Sequence, residues 1–433
     1  MSISRRALLQ AGLAAALPTL GYAAPRAPAK PQSRVIVIGG GFGGATCAKY
    51  LRQLSPKTEV TLIERRGGFY TGPFSNLVLA GVRTPASVTI DMSAVGAALG
   101  VRTLVDEVIA IDPITRTVTT AESGLLQADR IVVAPGIAMR WDVIEGLDAT
   151  NSASMPHAWT GDGQLLELRD RLDAVPDGGT IVIGAPANPY RCPPGPYERA
   201  SLIAHRLSQT DRSRCKILIA DAKDDFTKRA LFMLEWDKLY PGMIEWIPRA
   251  QGGEIIRVDT TTGEVWLRGD DQKSMATHLA SIVPPQRAAE IAASADLIDE
   301  SGWCPVNAAT MESSRYPGIY VLGDAAILAP VPKSAFAANS AAKLCASAIA
   351  SALNHGPAVD PQVLNTCYSF VSSNQAISVS ARYSAVNGRF SVLSDGVSPL
   401  SGDLAVRQRE ARQARDWYTG ITADSFGVIP PEQ

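Results

Sequence analysis

A glycine cluster directly after a short apolar run most constrains what this chain can fold into. Residues 34–38 form a β-branched apolar run of strand length, and Gly39, Gly41 and Gly44 follow with the spacing G-x-G-x-x-G. A helical pattern begins at once over residues 45–54. In a dinucleotide-binding turn, the first glycine permits the tight turn, the second lets the backbone approach a pyrophosphate, and the third lets helix and strand pack closely. The helix N-terminus would then bind the anion through its free N–H groups.

A second predicted strand supports this interpretation. Residues 59–63 are largely apolar and end at Glu64, about 20 residues after Gly44, where dinucleotide-binding folds place the carboxylate that binds ribose. An isolated glycine triplet is weak evidence, but strand, glycines, helix, strand and acid in this order are strong evidence. An ordinary tight turn without a ligand is therefore disfavoured.

Length and charge limit the possible classes of function. A chain of 433 residues with 46% hydrophobic residues predicts two or three domains with a sizeable core. The net charge of −1 favours neither a nucleic-acid partner nor a charged membrane surface. The six cysteines are too few for a disulfide scaffold and lack the spacing for haem attachment. The four histidines are scattered, so no metal site is predicted.

The N-terminus has the pattern of a targeting segment. Residues 4–9 contain twin arginines, and an apolar run to Leu20 precedes small residues suited to cleavage. We predict a twin-arginine signal peptide over residues 1–24, a linker over residues 25–33, and export to the periplasm. The apolar run is too short for stable membrane insertion, although an uncleaved anchor stays open as an alternative.

Residues 145–284 predict a second α/β unit that departs from a nicotinamide-binding domain. Its opening strand, residues 179–184, is followed by a proline-rich loop that contains Cys192. Proline has no N–H group to donate to a phosphate. The loop therefore argues against a nicotinamide site and places a cysteine where that site would be.

The chain is then expected to return to the first domain. A strand over residues 318–322 ends at Gly323 and Asp324, where FAD-binding proteins place a carboxylate that binds the ribitol hydroxyls. Ala134 and Gly136 end an earlier buried strand, where two-dinucleotide flavoproteins pass from the first domain to the second.

The pattern therefore predicts an α/β fold of two Rossmann-like dinucleotide-binding domains, of the glutathione-reductase kind, plus a C-terminal α+β domain. The predicted limits are 34–144 with 285–358 for the FAD-binding domain, 145–284 for the second domain, and 359–433 for the C-terminal domain.

Several segments together resemble the flavoprotein subunit of flavocytochrome c sulfide dehydrogenase. The loop at 191–201 and the Asn-Thr-Cys-Tyr-Ser sequence at 365–369 are the most specific of them. The others are residues 37–45, 132–137, 156–159, 282–288 and 302–306. The resemblance implies an FAD enzyme that oxidises sulfide and passes electrons to a separate c-type cytochrome subunit, with the C-terminal domain as the interface.

The resemblance also implies roles for individual residues. Cys192 and Cys367 would form a redox-active disulfide beside the flavin, Glu198 would handle protons, and Trp417 would lie near the flavin. Taken by themselves, the two cysteines could equally be a structural disulfide or buried thiols, and Glu198 could simply favour a helix dipole. A flavin-binding partner without catalysis and a sulfide:quinone oxidoreductase stay open as alternatives, but the polar tail helix predicted over residues 404–418 disfavours the latter.

One position departs from the family pattern. The family loop Tyr-Thr-Cys-x-x-Ser-Asn binds FAD covalently through its cysteine, whereas this chain has Gly72 there. Glycine has no thiol, so FAD is predicted to bind non-covalently. Asn76, at the end of the same loop, is predicted to contact the cofactor.

Other polar residues are given ordinary roles. Lys333 and the charged run at 407–415 are predicted to be solvated, and His157 is predicted to be a satisfied polar group.

Overall fold

Two parallel sheets with helices against them form the framework of the chain. The structure is a computed structural model that describes residues 32–431, except for the side chains of residues 270–272. The predicted signal peptide, residues 1–24, lies outside the described residues. The helices are α1 (Phe42–Leu54), α2 (Ser75–Leu79), α3 (Met92–Leu99), α4 (Gln164–Asp173), α5 (Gly195–Gln209), α6 (Arg229–Leu239), α7 (Glu290–Ser294), α8 (Ala335–Asn354) and α9 (Leu404–Phe426).

In the part of the chain that the structure describes, the strands form one five-stranded, one four-stranded, three three-stranded and three two-stranded sheets. They are β1 (Ser33–Ile38), β2 (Thr58–Glu64), β3 (Gly68–Tyr70), β4 (Thr89–Asp91), β5 (Arg102–Val105), β6 (Val108–Asp112), β7 (Thr117–Thr120), β8 (Gly124–Gln127), β9 (Arg130–Val133), β10 (Ile137–Met139), β11 (Thr180–Ala185), β12 (Lys216–Asp221), β13 (Ile244–Ile247), β14 (Ile255–Asp259), β15 (Glu264–Leu267), β16 (Asp270–Ala276), β17 (Leu279–Ile282), β18 (Gln286–Ala288), β19 (Cys304–Pro305), β20 (Ile319–Val321), β21 (Ala326–Ile327), β22 (Gln362–Ser372), β23 (Gln375–Val386) and β24 (Arg389–Val397).

The first parallel sheet has the strand order β20-β9-β1-β2-β5. Its central strand β1 pairs with β2 and β9 in parallel, with Val37 opposite Leu62 and Val132. These residues are fully buried, as expected where helices cover both faces of a parallel sheet. Strand β20 joins this sheet only after the second sheet is complete, so the chain returns to its first unit.

The second parallel sheet has the strand order β13-β12-β11-β17. Helix α5 follows β11 and buries an apolar face that includes Leu202 and Leu207. The predicted α/β class with two Rossmann-like parallel sheets is confirmed, while the residue limits of the domains stay predictions.

The C-terminal segment forms an antiparallel sheet, β22-β23-β24, and the long helix α9. Helix α9 continues past Tyr418 to Phe426, and Gly427 then ends it with a φ of +68°. The prediction that this helix ends near residue 418 was therefore wrong, because its apolar residues Ile421 and Phe426 are buried and continue the packing face.

One described helix, α8, is long and apolar enough to cross a membrane by length and composition alone. However, 61% of its apolar window is buried inside the protein, and it packs in the core of the first unit with Leu344 and Ile349. Such burial is typical of the core helix of a globular domain.

A short break separates the edge strand of the first parallel sheet from the small sheet that follows it. Strand β5 ends at Val105 and β6 begins at Val108 in a different sheet. Between them, the buried carboxylate of Asp106 accepts the backbone N–H groups of Glu122 and Ser123. These hydrogen bonds tie the break to a neighbouring turn, so the chain changes sheet here.

The charged run at 407–415 is not uniformly solvated, which corrects the prediction. The Arg407 side chain is fully buried and its Nε lies 2.7 Å from Oε1 of the fully buried Glu235 on α6. Glu410 lies 3.4 Å from the same guanidinium. This ion cluster attaches α9 to α6 of the second Rossmann-like unit. It stabilises the fold only as long as each buried charge keeps its partner of opposite charge.

We expect Arg407→Ala to lower the free energy of unfolding by about 3–5 kcal/mol, because it leaves the Glu235 carboxylate buried without its cation. The exposed Arg412→Ala on the same helix serves as the control and should change stability by no more than about 0.5 kcal/mol. Urea unfolding of the FAD-loaded protein measures both values. Equal losses in the two variants would contradict the structural role of the buried arginine.

Candidate active site

A single large cavity brings together most of the residues that the sequence singles out. Its volume is about 1310 Å³, larger than the 300–1,000 Å³ of common ligand pockets. Its walls come from the glycine turn after β1, from the loop between β11 and α5, and from the C-terminal strand β22. A ligand in this cavity would therefore contact all three parts of the chain.

The glycine turn at one end of the cavity has the geometry that its spacing predicts. Gly39 has a φ of +96°, and a side chain there would collide with the carbonyl of Ala134. At Gly41 an added Cβ would meet nothing within 4 Å, so the backbone is open to the cavity. At Gly44 an added Cβ would collide with the carbonyl of Gly39, so this glycine is needed for close packing of α1.

Glu64 lies at the cavity wall beside this turn. Its Oε2 accepts the N–H of Gly40 at 2.7 Å, and its Oε1 accepts the N–H of Arg66 at 3.2 Å. The carboxylate is therefore fixed at the end of β2 with lone pairs left for a ligand hydroxyl.

The predicted flavin-contacting residues Ala134, Gly136, Gly323 and Asp324 also line the cavity. The Asp324 carboxylate accepts Nε of Arg191 at 2.6 Å through Oδ2, while its buried Oδ1 has no partner among the described residues. Unpaired buried polar atoms are costly in a folded protein. This oxygen is therefore available to a bound hydroxyl group.

Trp417 on α9 lines the same cavity, and its buried Nε1 also has no partner in the described part of the chain. The open backbone at Gly41, the acid at Glu64 and the two unpaired polar atoms fit a bound FAD, whose pyrophosphate, ribose and hydroxyls need such groups.

Asn76 does not lie on the cavity wall, unlike the other predicted cofactor contacts except Gly44. Its Nδ2 donates to Oε2 of Glu198 at 2.9 Å, and its Oδ1 accepts Nε of Arg199 at 3.3 Å. The structure therefore places Asn76 behind Glu198, where it orients a carboxyl group, and its contact with the cofactor stays a prediction.

Cys192 and Cys367 both line the cavity, from two different elements. Cys192 lies just before α5 with a φ of +58°, and its N–H donates to the carbonyl of Lys333 at 2.8 Å. Cys367 lies on β22, and its Sγ donates to Oδ1 of Asn365 at 3.4 Å. Both are free thiols in the structure, so the disulfide stays a prediction.

The four other cysteines are also free thiols, but each is fully buried and lies away from the cavity, as their apolar surroundings predict. They are Cys47, Cys215, Cys304 and Cys345.

Glu198 stands at the cavity wall in the first turn of α5. Its Oε1 accepts the N–H of Phe370 at 2.8 Å, while its Oε2 accepts from Asn76. Burial raises the pKa of Glu198, and these hydrogen bonds oppose that effect only in part. The carboxyl group can therefore take up and release a proton beside the two cysteines.

Lys333 is not a solvated charge, which corrects the prediction. Its ammonium lies 3.7 Å from the centre of the Trp303 ring and donates to the carbonyls of Asp324 and Ala326. Burial lowers its pKa to about 8. The lysine holds the loop that carries Asp324, while its own carbonyl holds Cys192.

His157 has the ordinary role predicted for it. Its Nδ1 accepts the N–H of Trp159 at 3.0 Å, and burial lowers its pKa to about 4. The ring is therefore neutral at pH 7.

Sequence reasoning missed two cations near the cysteines, Arg199 and Lys228. Arg199 is 1% exposed and donates to the carbonyl of His157 at 2.6 Å and to Oγ of Ser281 at 2.8 Å. Lys228 donates to Oγ of Ser369 at 2.8 Å. The sequence could have indicated Arg199, because it directly follows the predicted site residue Glu198. Nothing in the sequence indicates Lys228, because it comes close to the site only in the folded chain.

The second parallel sheet also has an acidic residue at the end of a strand, but other protein groups already donate hydrogen bonds to its carboxylate. Asp221 ends β12, as Glu64 ends β2, but it is fully buried. Its Oδ2 accepts Tyr197 OH and Nε1 of Trp246, the latter at 2.9 Å. This arrangement agrees with the prediction that the proline-rich loop does not form a nicotinamide site.

Fold and site together define a flavoprotein oxidoreductase with two dinucleotide-binding folds. The family of pyridine nucleotide-disulphide oxidoreductases matches residues 33–185. The central domain of the sulfide dehydrogenase (flavocytochrome c) flavoprotein chain matches residues 165–284, and the flavin-binding domain of flavocytochrome c sulphide dehydrogenase matches residues 359–426. The chain belongs to the family of flavocytochrome c sulfide dehydrogenase flavoprotein chains, which confirms the resemblance and FAD as the cofactor.

Individual relatives agree with this assignment. The sulfide dehydrogenase flavoprotein chain of Chlorobaculum thiosulfatiphilum is 62% identical over 45 residues, which are 10% of this chain and 94% of that sequence. The mitochondrial sulfide:quinone oxidoreductase of Mus musculus is 22% identical over 327 residues, 71% of this chain and 69% of its own. The sulfide:quinone oxidoreductase structure from Aquifex aeolicus is similar in fold, with a TM-score of 0.72, 19% identity and coverage of 92% and 93%.

We expect the stability of Glu198→Gln relative to the native protein to rise with pH. Because burial raises the pKa of Glu198 above its ordinary 4.5, the folded native protein keeps a proton that the unfolded chain releases. Native stability therefore falls as pH rises from 4.5 to the raised pKa, by about 1.4 kcal/mol for each pH unit between these two values, and glutamine does not titrate. Urea unfolding from pH 4 to 9 measures the difference, and a difference that stays constant would refute the raised pKa.

Proposed function

We propose that this chain is the catalytic flavoprotein subunit of a sulfide dehydrogenase that uses Cys192, Cys367 and FAD. The observation that carries this proposal is that both cysteines and Glu198 line the same cavity as the dinucleotide-binding turn. A sulfur substrate bound at the cysteines would therefore lie in the same enclosed space as the cofactor.

Different residues of the protein would bind different parts of the cofactor. Gly39, Gly41 and Glu64 would hold the dinucleotide part, and Asp324 with Trp417 would bind polar groups of the rest of the cofactor. When bound, FAD accepts two electrons and releases them one at a time.

The reaction at the cysteines begins from their disulfide. Hydrosulfide attacks the Cys192 sulfur, a bond forms between the two sulfur atoms, and the bond to Cys367 breaks with its electron pair left on the Cys367 thiolate. Oxidation of hydrosulfide to zero-valent sulfur releases one proton and two electrons. Glu198 takes up the proton of the Cys192 persulfide. When the bond between Cys192 and the substrate sulfur breaks, zero-valent sulfur leaves and the Cys192–Cys367 disulfide re-forms, and bound FAD would supply the acceptor for the two electrons.

FAD is proposed to bind without a covalent bond, because Gly72 lines the cavity with no side chain to react. An added Cβ at Gly72 would meet nothing within 4 Å, so the position is open towards the cavity. The cofactor is then held only by packing and hydrogen bonds.

The electron acceptor is proposed to be a separate c-type cytochrome subunit that docks on the C-terminal domain. The family to which the chain belongs supports a cytochrome partner. The C-terminal hairpin and the loop after it carry large apolar side chains that are about half exposed: Val386, Val392, Leu393, Val397 and Leu400. Exposed apolar side chains in this number favour a protein interface.

The enzyme is proposed to act in the periplasm after export by the twin-arginine route. The support is the twin-arginine sequence at residues 4–9 followed by an apolar run. An oxidising compartment also allows a cysteine pair to exist as a disulfide.

We expect acid precipitation of the purified protein to release its flavin into the supernatant, because no thioether can form at Gly72. Absorbance of the supernatant near the flavin bands measures the free fraction, and proteolysis of the pellet recovers any bound remainder. Flavin that stays with the precipitated peptide would contradict non-covalent binding.

We expect Cys192→Ser and Cys367→Ser each to lower sulfide-dependent reduction of ferricytochrome c by at least about 100-fold, because each removes one half of the reacting pair. Cys215→Ser, which alters a buried thiol away from the cavity, should retain turnover. Stopped-flow absorbance of the cytochrome measures the rate. Retained turnover in all three variants would contradict the proposed role of the two cysteines. The absence of sulfide-dependent turnover in the native protein would favour a flavin-binding partner without catalysis, and faster reduction of a soluble ubiquinone analogue than of ferricytochrome c would favour a sulfide:quinone oxidoreductase.

A further inference from the structure

Lys228 has an unusual position for an ordinary surface lysine. It lies directly before α6 with a φ of +67°, a left-handed conformation that long side chains rarely adopt. This conformation accompanies a side chain that turns inward, where its ammonium donates to Oγ of Ser369 at 2.8 Å. Ser369 is 1% exposed and lines the cavity.

The strand geometry places this ammonium beside Cys367. Ser369 and Cys367 are two residues apart on β22, so their side chains lie on the same face of the strand. Asn365, two residues further along, also lines the cavity. The cation that binds Ser369 therefore lies at the face of the strand that carries the Cys367 thiol.

Other charged and titratable groups face this pair from several elements. They are Glu198 and Arg199 on α5, Cys192 before α5, Asp324 after β20, Tyr383 on β23 and Glu410 on α9. Lys228 and Arg199 are the cations of this group, and only Lys228 is bonded to the strand that carries Cys367.

The two cysteines consequently have unequal surroundings. Burial raises the pKa of Cys367, but the Lys228 charge opposes that rise. Burial also raises the pKa of Cys192, and there the charges of Glu198 and Cys367 raise it further and outrank the opposing charge of Lys228. At Cys367 the order is reversed, because the Lys228 charge is the largest effect after burial and Glu198 acts more weakly. A negative charge is therefore favoured on Cys367 over Cys192.

We propose that Lys228 is a positioning residue that stabilises the Cys367 thiolate whenever the cysteine pair is opened. This rests on the proposed function, in which hydrosulfide bonds to the Cys192 sulfur and the electron pair of the broken disulfide stays on Cys367. The cation favours this direction of opening over the reverse, in which Cys192 would leave. Lys228 thereby assigns the substrate sulfur to Cys192.

The test measures thiol reactivity and needs no sulfide, so it can fail or succeed independently of turnover. The FAD-loaded protein is reduced with dithiothreitol, desalted without oxygen and given short pulses of iodoacetamide from pH 5 to 10, and peptide mass spectrometry follows Cys192 and Cys367 separately. In Lys228→Met we expect alkylation of Cys367 at pH 7 to slow about tenfold, as for a thiol whose pKa rises by about one. Cys192 should change less, and Lys228→Arg should retain the native profile.

An unchanged Cys367 profile in Lys228→Met, an equal shift of both cysteines, or a loss that arginine fails to restore would overturn the proposal. If Lys228→Met does not fold, Ser369→Ala decides the matter, because it removes only the hydroxyl that holds the ammonium. A shift of the Cys367 profile to higher pH in Ser369→Ala supports the proposal, and a native profile overturns it.

Discussion

A carboxyl group that is largely enclosed by protein needs hydrogen-bond donors from its surroundings. The arrangement of the site depends on the donors that Glu198 has. Its two oxygens accept from Asn76, which follows the first unit's loop, and from the backbone of Phe370 on β22. Glu198 itself lies on α5 of the second unit. This half-buried group thus joins three segments that are far apart in sequence. Cys192 precedes Glu198 on one of these segments, and Cys367 precedes Phe370 on another.

The charges around this junction are unevenly distributed. Arg199 donates to the carbonyl of His157 and so holds the loop there. Lys333 donates to the backbone carbonyls of the loop that carries Asp324. Of these three cations, Lys228 is the one bonded to the strand that carries Cys367. The cations therefore have separate tasks, two in holding loops and one beside the reacting sulfur, and the low polarity of the site makes each of them more effective than in water.

The sequence predicts the parts of this structure that local physics determines. Strand, glycine turn and helix follow from the apolar run and from Gly39, Gly41 and Gly44, because each glycine answers a steric demand within a few residues. The family resemblance supplied Cys367 and Glu198, which local patterns could not have paired. The predictions for Arg407 and Lys333 were wrong for one reason: a charged residue in a polar run carries no local sign that Glu235 or Trp303, distant in sequence, will cover it. Asn76 was assigned to the cofactor because its loop lies near the glycine turn, but its side chain turns to Arg199 and Glu198.

The filled end of the second parallel sheet has a consequence for the supply of electrons. Enzymes that bind a nicotinamide nucleotide in a second Rossmann unit use a free acid at the end of its second strand for the ribose. Here Tyr197 and Trp246 already occupy the carboxylate of Asp221. A nicotinamide nucleotide would therefore find no free acid for its ribose at this strand end. Under the proposed function, the flavin would then receive electrons only from sulfur compounds and lose them to the acceptor protein, so the rate of acceptor reduction would report the supply of the sulfur donor.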